Sequence, residues 1–273
     1  MDIQNIANAL SSKNRFLSDD WLLFNEDSFS ILDALSALDV SFPLIFSDPP
    51  YFLSNDGITC HAGKMVSVNK GQWDKSSSFQ EIKAFHKRWI EKCLAILAPD
   101  GTIWISATQH SIFIIGCILQ ELNCSIINVV TWEKPNPPPN LSCRFFTHST
   151  ELLIWAKKNK KNRHCFNYSL IKELNHGKQM KTVWKIPSPS KREKEFGKHP
   201  TQKPVELLQL IILASSNPGD VILDPFAGSS TTGVAALKTG RKFVGIELST
   251  AFVELSKKRL TSAENELSQL TLL

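Results

Sequence analysis

Two apolar patterns alternate along the chain. Short continuous apolar runs, the mark of strands buried on both faces, are separated by longer stretches whose apolar side chains recur at helical spacing. Trp21-Leu22-Leu23-Phe24 is the first run, and it ends at Asn25-Glu26-Asp27-Ser28, where Ser28 is placed to cap a helix with the stripe Phe29, Leu32, Leu35 and Leu38. Phe42-Pro43-Leu44-Ile45-Phe46 then breaks into Ser47-Asp48-Pro49-Pro50-Tyr51, a buried strand leaving its sheet in a rigid, non-helical turn. Residues 52–74 are rich in Gly, Ser and Asn and have no period, a loop long enough to be functional. A helix is expected over 81–97, with Ile82, Phe85, Trp89, Cys93 and Leu97 inward and Pro99-Asp100-Gly101 as its stop. A strand at 102–106, a helix at 110–122 and a strand at 126–132 follow.

Residues 133–149 include prolines at 137, 138 and 139 before a strand resumes at 152–155. Two strands joined by such a loop belong at a sheet edge, where missing N–H groups are tolerated. Pro204 opens a helix with an apolar face from Leu207 to Leu213. Val221-Ile222-Leu223-Asp224 and Lys242-Phe243-Val244-Gly245-Ile246 are strands, with a helix to about 239 between them and a closing helix to about 265. Strands alternating with helices predict an α/β fold built on a mostly parallel, doubly wound sheet covered on both faces.

At 273 residues and 42% apolar content, the chain suffices for one large domain or a domain with an insertion. No apolar run approaches the length of a membrane span, and residues 1–12 lack a basic patch followed by an apolar core, so a soluble cytoplasmic chain is expected. The cysteines at 60, 93, 117, 124, 143 and 165 form no C-x-x-C pair and are read as reduced thiols, with neither zinc nor disulfides. The net charge of +5 is unevenly spread: residues 157–198 hold 13 Lys or Arg against 3 Asp or Glu, a net +10, and the remainder carries −5. Charge runs usually form a solvated surface. This one is interleaved with Phe166, Tyr168 and Trp184 and broken by Ser188-Pro189-Ser190, the composition of an insertion that faces a polyanion such as nucleic acid.

The turn after Phe46 carries chemistry. Neither proline has an N–H, so the backbone there offers carbonyl acceptors, Asp48 adds a carboxylate and Tyr51 a flat ring with a polar tip. Such a set suits a planar base with an exocyclic NH2. Accepting both of its hydrogens, on Asp48 and on the Pro49 carbonyl, favours a pyramidal nitrogen whose lone pair is free to attack. The second landmark is the strand-turn-helix start Asp224-Pro225-Phe226-Ala227-Gly228-Ser229-Ser230-Thr231-Thr232-Gly233, with Glu247 closing the next strand at the offset of a ribose-binding acid. The G-x-G-x-x-G fingerprint is absent, which disfavours a pyrophosphate cofactor and points to S-adenosylmethionine. Ordinary turns and close packing also produce Asp-Pro-Pro and Gly-rich sequences, so each motif alone leaves the bland alternative open.

Together, Asp48-Pro49-Pro50-Tyr51, the 224–233 loop, His199-Pro200-Thr201-Gln202-Lys203-Pro204 and the 133–155 stretch resemble the amino-methyltransferases of DNA in restriction-modification systems. The order, 48 before 224, is that of the permuted beta class, where the acceptor motif precedes the cofactor loop. The likeness covers nearly the whole chain. Toward the DpnA-type adenine methyltransferases it extends to Phe52-Leu53-Ser54-Asn55, residues 140–151 and Gly177-Lys178-Gln179-Met180-Lys181, all outside the general motifs. This resemblance implies a Rossmann-like methyltransferase sheet with an inserted basic target-recognition segment: a catalytic half at 1–157, the segment at 158–198 and a cofactor-binding half at 199–273. It implies that Asp48, Pro49, Pro50 and Tyr51 hold a flipped adenine. The cofactor, which Asp48 also borders, is implied to lie along Asp224, Pro225, Phe226, Ala227, Gly228, Ser229 and Thr231. Glu247 is implied on its ribose, Thr201 and Lys203 near its carboxylate, and Asp27 and Ser28 near its adenine. Ser230 replaces a glycine of the usual G-S-G-T-T-G spelling and still leaves backbone N–H groups available.

DNA contacts are expected from Lys134, Asn136 and Arg144 in the Pro-rich loop, from Lys178, Gln179 and Lys181 at base edges, and from Lys191 and Arg192 at phosphates. The implied partners are DNA, at GATC, and a cognate restriction endonuclease, with a homodimer left open. Cytosine N4 is the alternative acceptor, although Asp rather than Ser at 48 favours adenine. RNA or protein-glutamine amino-methyltransferases usually carry Asn where Asp48 stands, and a DNA-binding module without activity would have no reason to keep the whole pocket.

Overall fold

The computed structural model describes residues 3–10, 12, 14–51, 58–61, 64–67 and 78–271. In chain order these form α1 (Ile3–Ala9), β1 (Arg15–Leu17), β2 (Trp21–Phe24), α2 (Ser28–Ala37), β3 (Phe42–Ser47), β4 (Ile58–His61), β5 (Lys64–Ser67), α3 (Phe79–Ala95) and β6 (Leu97–Ala107). Then come α4 (Ile112–Glu121), β7 (Ser125–Glu133), β8 (Thr150–Lys157), α5 (Tyr168–Leu174), β9 (Val183–Lys185), α6 (Val205–Ser215), β10 (Val221–Asp224), α7 (Thr231–Lys238), β11 (Lys242–Ile246) and α8 (Thr250–Thr271). Most of the predicted loop at 52–74 lies outside the described residues; within it β4 and β5 pair as an antiparallel hairpin.

The main sheet has the order β1-β2-β11-β10-β3-β6-β8-β7-β9. From β2 through β6 all pairs are parallel, as the alternation of strands and helices predicts. Why these strands are continuously apolar is visible in the packing. Along β3, Ile45 faces one core and Leu44 and Phe46 the other; along β6, Ile103 and Ile105 oppose Trp104; along β2, Leu22 and Phe24 oppose Leu23. With both faces buried, neither alternate set of positions is left for solvent, and the few polar side chains there, such as Ser47, Thr102 and Ser106, are buried too, so period 2 vanishes from the sequence. Helices α1 to α4 cover one face and α6 to α8 the other. Among the described residues no helix is long and apolar enough to cross a membrane.

The far end of the sheet departs from expectation. The β7–β8 hairpin is antiparallel, but β9 from the basic segment pairs with β7 in parallel and takes the edge position expected of the hairpin. Residues 158–198 are therefore woven into the fold. Asn167 ties the start of α5 to α6 by donating from Nδ2 to the Leu213 and Ser216 carbonyls, both at 2.8 Å. The interleaved aromatic residues follow: Trp184 packs on Trp104 (5.9 Å between ring centroids) and Phe166 on Trp155 (5.6 Å), so they attach the segment to the sheet.

Candidate active site

Because the strands from β2 to β6 are parallel, their carboxyl ends gather at one rim. The chain leaving β3 reaches α3 on one face of the sheet, while β10 feeds α7 on the other, and at such a reversal the two connections diverge and leave a crevice. A cavity of about 630 Å³ fills it. Every cofactor candidate named from sequence lines this cavity except Pro225, whose carbonyl accepts a hydrogen bond from Ser28 Oγ just behind the wall.

On the cofactor side, backbone and side chains lock the 224–233 loop. Asp224 is buried, accepting from Thr232 Oγ1 at 2.5 Å and from the Phe226 N–H at 3.0 Å. Burial pushes its carboxyl up to about 7, against the pull of those two donors. Gly228 has φ +55°, and a Cβ there would stand 3.2 Å from the His199 ring, so both conformation and space favour glycine. Glu247 accepts from the Gly228 N–H at 2.9 Å and the Ser249 N–H at 2.7 Å. Burial raises its pKa, partly offset by those N–H groups. A carboxylate offers about four lone-pair positions, and with the Leu248 N–H also directed at Glu247, acceptor capacity remains for a hydroxyl. Phe226 stacks edge-on to Trp89 (5.6 Å), and with Phe29 and Phe85 it makes an aromatic wall that sequence reasoning did not single out.

Two expectations need correction here. The cap of α2 is Asp27, whose carboxylate accepts from the Ser30 N–H at 3.1 Å; Ser28 is the first helical residue and spends its hydroxyl on Pro225. Ser230 does not keep its N–H available: it donates to the Ala227 carbonyl at 2.7 Å, with the residue held left-handed at φ 52°, ψ 39°. The tight turn consumes the donor that a relaxed serine would have left open.

On the acceptor side, Asp48 stands one residue beyond β3. Its Oδ2 lies 2.6 Å from Lys203 Nζ, and its Oδ1 accepts from the Tyr51 hydroxyl, which also meets Ser106 Oγ at 3.1 Å and Lys203 Nζ at 3.1 Å. Burial acts to lower the Lys203 pKa, but the Asp48 and Glu151 carboxylates more than offset it, and the ammonium is held well above its ordinary range. Burial and the Asp48 charge push the Tyr51 hydroxyl well above 10. Lys203, expected near the cofactor carboxylate, thus commits its charge to the acceptor turn. Glu151, at the start of β8, is 3.2 Å from Lys203 and was not among the sequence candidates. Its only signal was its place just before the apolar run 152–155, at the end of the 140–151 likeness.

The DNA candidates are spread more widely. Asn136 and Arg144 are exposed on the β7–β8 loop, which rises from the same rim as Asp48, beside Phe146 at 97% exposure. Lys134 is instead paired with Glu151 and packed over the Trp132 ring. Lys178, Gln179 and Lys181 are exposed at the entry to β9, whereas Lys191 and Arg192 follow its exit, which lies at the rim end because β9 runs parallel to β7. Arg192 reaches Glu266 of α8 at 3.8 Å.

Comparison with known proteins agrees with this geometry. A family model described as DNA methylase matches residues 42–258. The type II methyltransferase M2.DpnII of Streptococcus pneumoniae is 51% identical over 258 residues, 94% of this chain and 95% of its own. M2.MboI of Moraxella bovis is 51% identical over 248 residues, 90% of each. Among solved structures, the M1.HpyAVI–SAM complex superposes with a TM-score of 0.66 at 28% identity, covering 87% of this chain and 98% of that one. The cytosine-N4-specific PvuII DNA methyltransferase shares the fold at a TM-score of 0.69 and 17% identity, over 91% of this chain and 92% of its own. With its acceptor turn and its ribose-ready acid on opposite sides of one crevice, the chain belongs to the N6/N4 DNA methylase family and is an S-adenosylmethionine-dependent DNA methyltransferase.

Proposed function

We propose that this enzyme methylates N6 of adenine in DNA, at GATC, as the modification activity of a restriction-modification system in the cytoplasm. The observation that carries the reading is the position of Asp48 and Pro49, which border the same cavity as Glu247 and Gly228, so that a base amine on one side meets a methyl donor on the other. The type II methyltransferase relatives at about half identity support the biological setting. A cognate endonuclease, and a homodimer tested by light scattering, complete the partners of this reading.

The cavity fits S-adenosylmethionine: Glu247 keeps acceptor capacity for a ribose hydroxyl, the Phe29, Phe85 and Phe226 wall suits a purine, and Gly228 lets the ligand approach backbone. When bound, the cofactor supplies a methyl group on a positively charged sulfur, and its departure as a neutral thioether needs no general acid. The chain's own task is alignment. Asp48 accepts one hydrogen of the adenine amine and the Pro49 carbonyl the other, which localises the nitrogen lone pair toward the crevice. Lys203 and Tyr51 fix the carboxylate, so no reorientation is needed when the base arrives. The amine nitrogen, held by Asp48 and the Pro49 carbonyl, would be the nucleophile toward that methyl group, and its surplus proton would pass to solvent. The amine is buried in a duplex stack, so the base must be turned out to reach Asp48. Arg144 and Phe146 on the β7–β8 loop, and Lys191 beyond β9, are the groups we assign to the DNA-facing rim; Lys178, Gln179 and Lys181 remain candidates for base edges.

The test is to offer tritiated cofactor with DNA, RNA and protein and to digest whatever is labelled to nucleosides. Label in N6-methyladenine from GATC-containing DNA is expected. Label in N4-methylcytosine, RNA or protein overturns the assignment.

A further inference from the structure

The candidate acceptor site has a second tier that the transfer chemistry does not explain. Lys203 Nζ is surrounded by Asp48 Oδ2 at 2.6 Å, the Tyr51 hydroxyl at 3.1 Å and Glu151 Oε2 at 3.2 Å. Glu151 is itself shared: its other oxygen pairs with Lys134, the first residue beyond β7. Side-chain exposure falls from 22% at Lys134 through 16% at Glu151 to 6% at Lys203, so the row runs inward from the base of the β7–β8 loop to the acceptor turn. Two carboxylates and two ammonium groups leave the row neutral.

The arrangement matters because of what Asp48 must do. An ammonium has three donors. Facing a single buried carboxylate, it would bridge both oxygens and occupy the lone pairs that the base amine needs. Here Glu151 is a second carboxylate on the ammonium, which meets Asp48 at Oδ2 while Oδ1 accepts from Tyr51. We propose that Glu151 is a positioning residue for methyl transfer: by sharing Lys203 it keeps Asp48 singly bridged and open toward the cavity, and through Lys134 it ties that state to the seating of the β7–β8 loop. The inference rests on the role proposed for Asp48.

The experiment compares Glu151→Gln and Glu151→Asp with the wild type by single-turnover methyl transfer. It is run beside calorimetry of cofactor binding, DNA binding on GATC oligonucleotides and thermal melts. Glu151→Gln is expected to slow single turnover by roughly 10- to 100-fold, the scale of losing a preorganised electrostatic contact, while both dissociation constants stay within about threefold of wild type. Glu151→Asp, which restores the charge with shorter reach, should recover part of the rate. Lys134→Met added to Glu151→Gln should slow the reaction little further, because the two act in one chain. Wild-type single-turnover rate in Glu151→Gln overturns the inference. So does a rate loss matched by equal losses in binding and melting temperature, which would mark a packing role. If Glu151→Gln does not fold, Glu151→Asp decides alone: slowed transfer at unchanged binding supports the inference, and full rate refutes it. Asp48→Ala is the control. Full activity there fails the underlying reading, whereas an inactive Asp48→Ala beside a fully active Glu151→Gln fails only this one.

Discussion

Replacing Lys203 with methionine should expose the electrostatics of the acceptor turn most directly. The substitution keeps the volume of the side chain and deletes the charge that Asp48 and Glu151 share. Removing one partner from a buried ion pair typically costs about 3–5 kcal/mol, because the other charge is left uncompensated. Lys134 still neutralises part of Glu151, so the lower end applies, about 3 kcal/mol. At roughly 2–4 °C per kcal/mol for a large domain, the melting temperature should fall by about 6–12 °C at pH 8. The pH dependence identifies the cause. In the wild type, burial acts to raise the Glu151 pKa, but Lys203 and Lys134 overcome it and hold the carboxyl at about 2. Its stabilising contribution is therefore present above the unfolded value of about 4.3 and is lost only as pH falls toward 2. Without Lys203 the strongest lowering influence is gone and burial dominates. A carboxyl raised above its unfolded value stabilises at low pH and loses that contribution as pH rises. The gap between variant and wild type should thus be widest at pH 8 and shrink toward pH 5. Differential scanning calorimetry across that range checks it. An equal gap at both ends, or one below about 1 kcal/mol at pH 8, would mean that the row behaves as a screened surface cluster, and the reasoning fails.

Other expectations rest on separate features. Glu247→Gln should weaken cofactor binding by roughly 10- to 100-fold, the scale of charged hydrogen bonds, with little change in rate at saturation; an unchanged dissociation constant in calorimetry removes Glu247 from the ribose. Ser230 sits left-handed with a buried hydroxyl that has no hydrogen-bond partner among the described residues, so Ser230→Gly should raise stability by about 0.5–1 kcal/mol in a melt, and a lower melting temperature would contradict the strain. Burial pushes Asp224 up to about 7 from an unfolded value near 3.9, so it costs stability increasingly as pH rises between those values; Asp224→Asn should gain on the wild type from pH 5 to pH 8 by about 3 kcal/mol, and a constant difference would refute the shift. Neutralising Lys191 and Arg192 together should flatten the slope of log DNA affinity against log salt by about 0.9 for each residue on a phosphate; with Arg192 already near Glu266, a change of about one is expected, and none at all would place the DNA elsewhere.

What could be read from the chain, and what could not, divides along the range of the forces involved. The two-faced strands were legible because their burial leaves a continuous apolar run, and the order of acceptor turn and cofactor loop was legible because each is one local strand-turn unit. The elements without local signals are those stabilised only by distant partners. Strand β9, three residues with the exposure pattern exposed, half-buried, exposed, exists because β7 offers it an edge. The attachment of Phe166 and Trp184 to tryptophans on β8 and β6 is equally non-local, which is why their spacing suggested ligand-facing residues. At α2, the cap expected at Ser28 fell to Asp27, because Ser28 has a carbonyl of Pro225 to bond, nearly two hundred positions away.

The same distinction explains the fate of Lys203. Its motif placed it at the crevice, and there it is; what sequence could not supply is which of several anions it would meet. A lysine beside a cofactor carboxylate and a lysine beside a catalytic aspartate look alike in one dimension. In three, the decision follows from solvation. A buried ammonium needs acceptors that are always present, and the protein provides Asp48 and Tyr51 from the turn after β3 and Glu151 from β8, whereas a cofactor carboxylate comes and goes. Thr201, neutral and within 3.4 Å of His199, carries no such burial cost. The Lys203 charge is already matched by Asp48 and Glu151, so the transfer rate, more than cofactor affinity, is the property that substitutions at Lys203 and Glu151 should move.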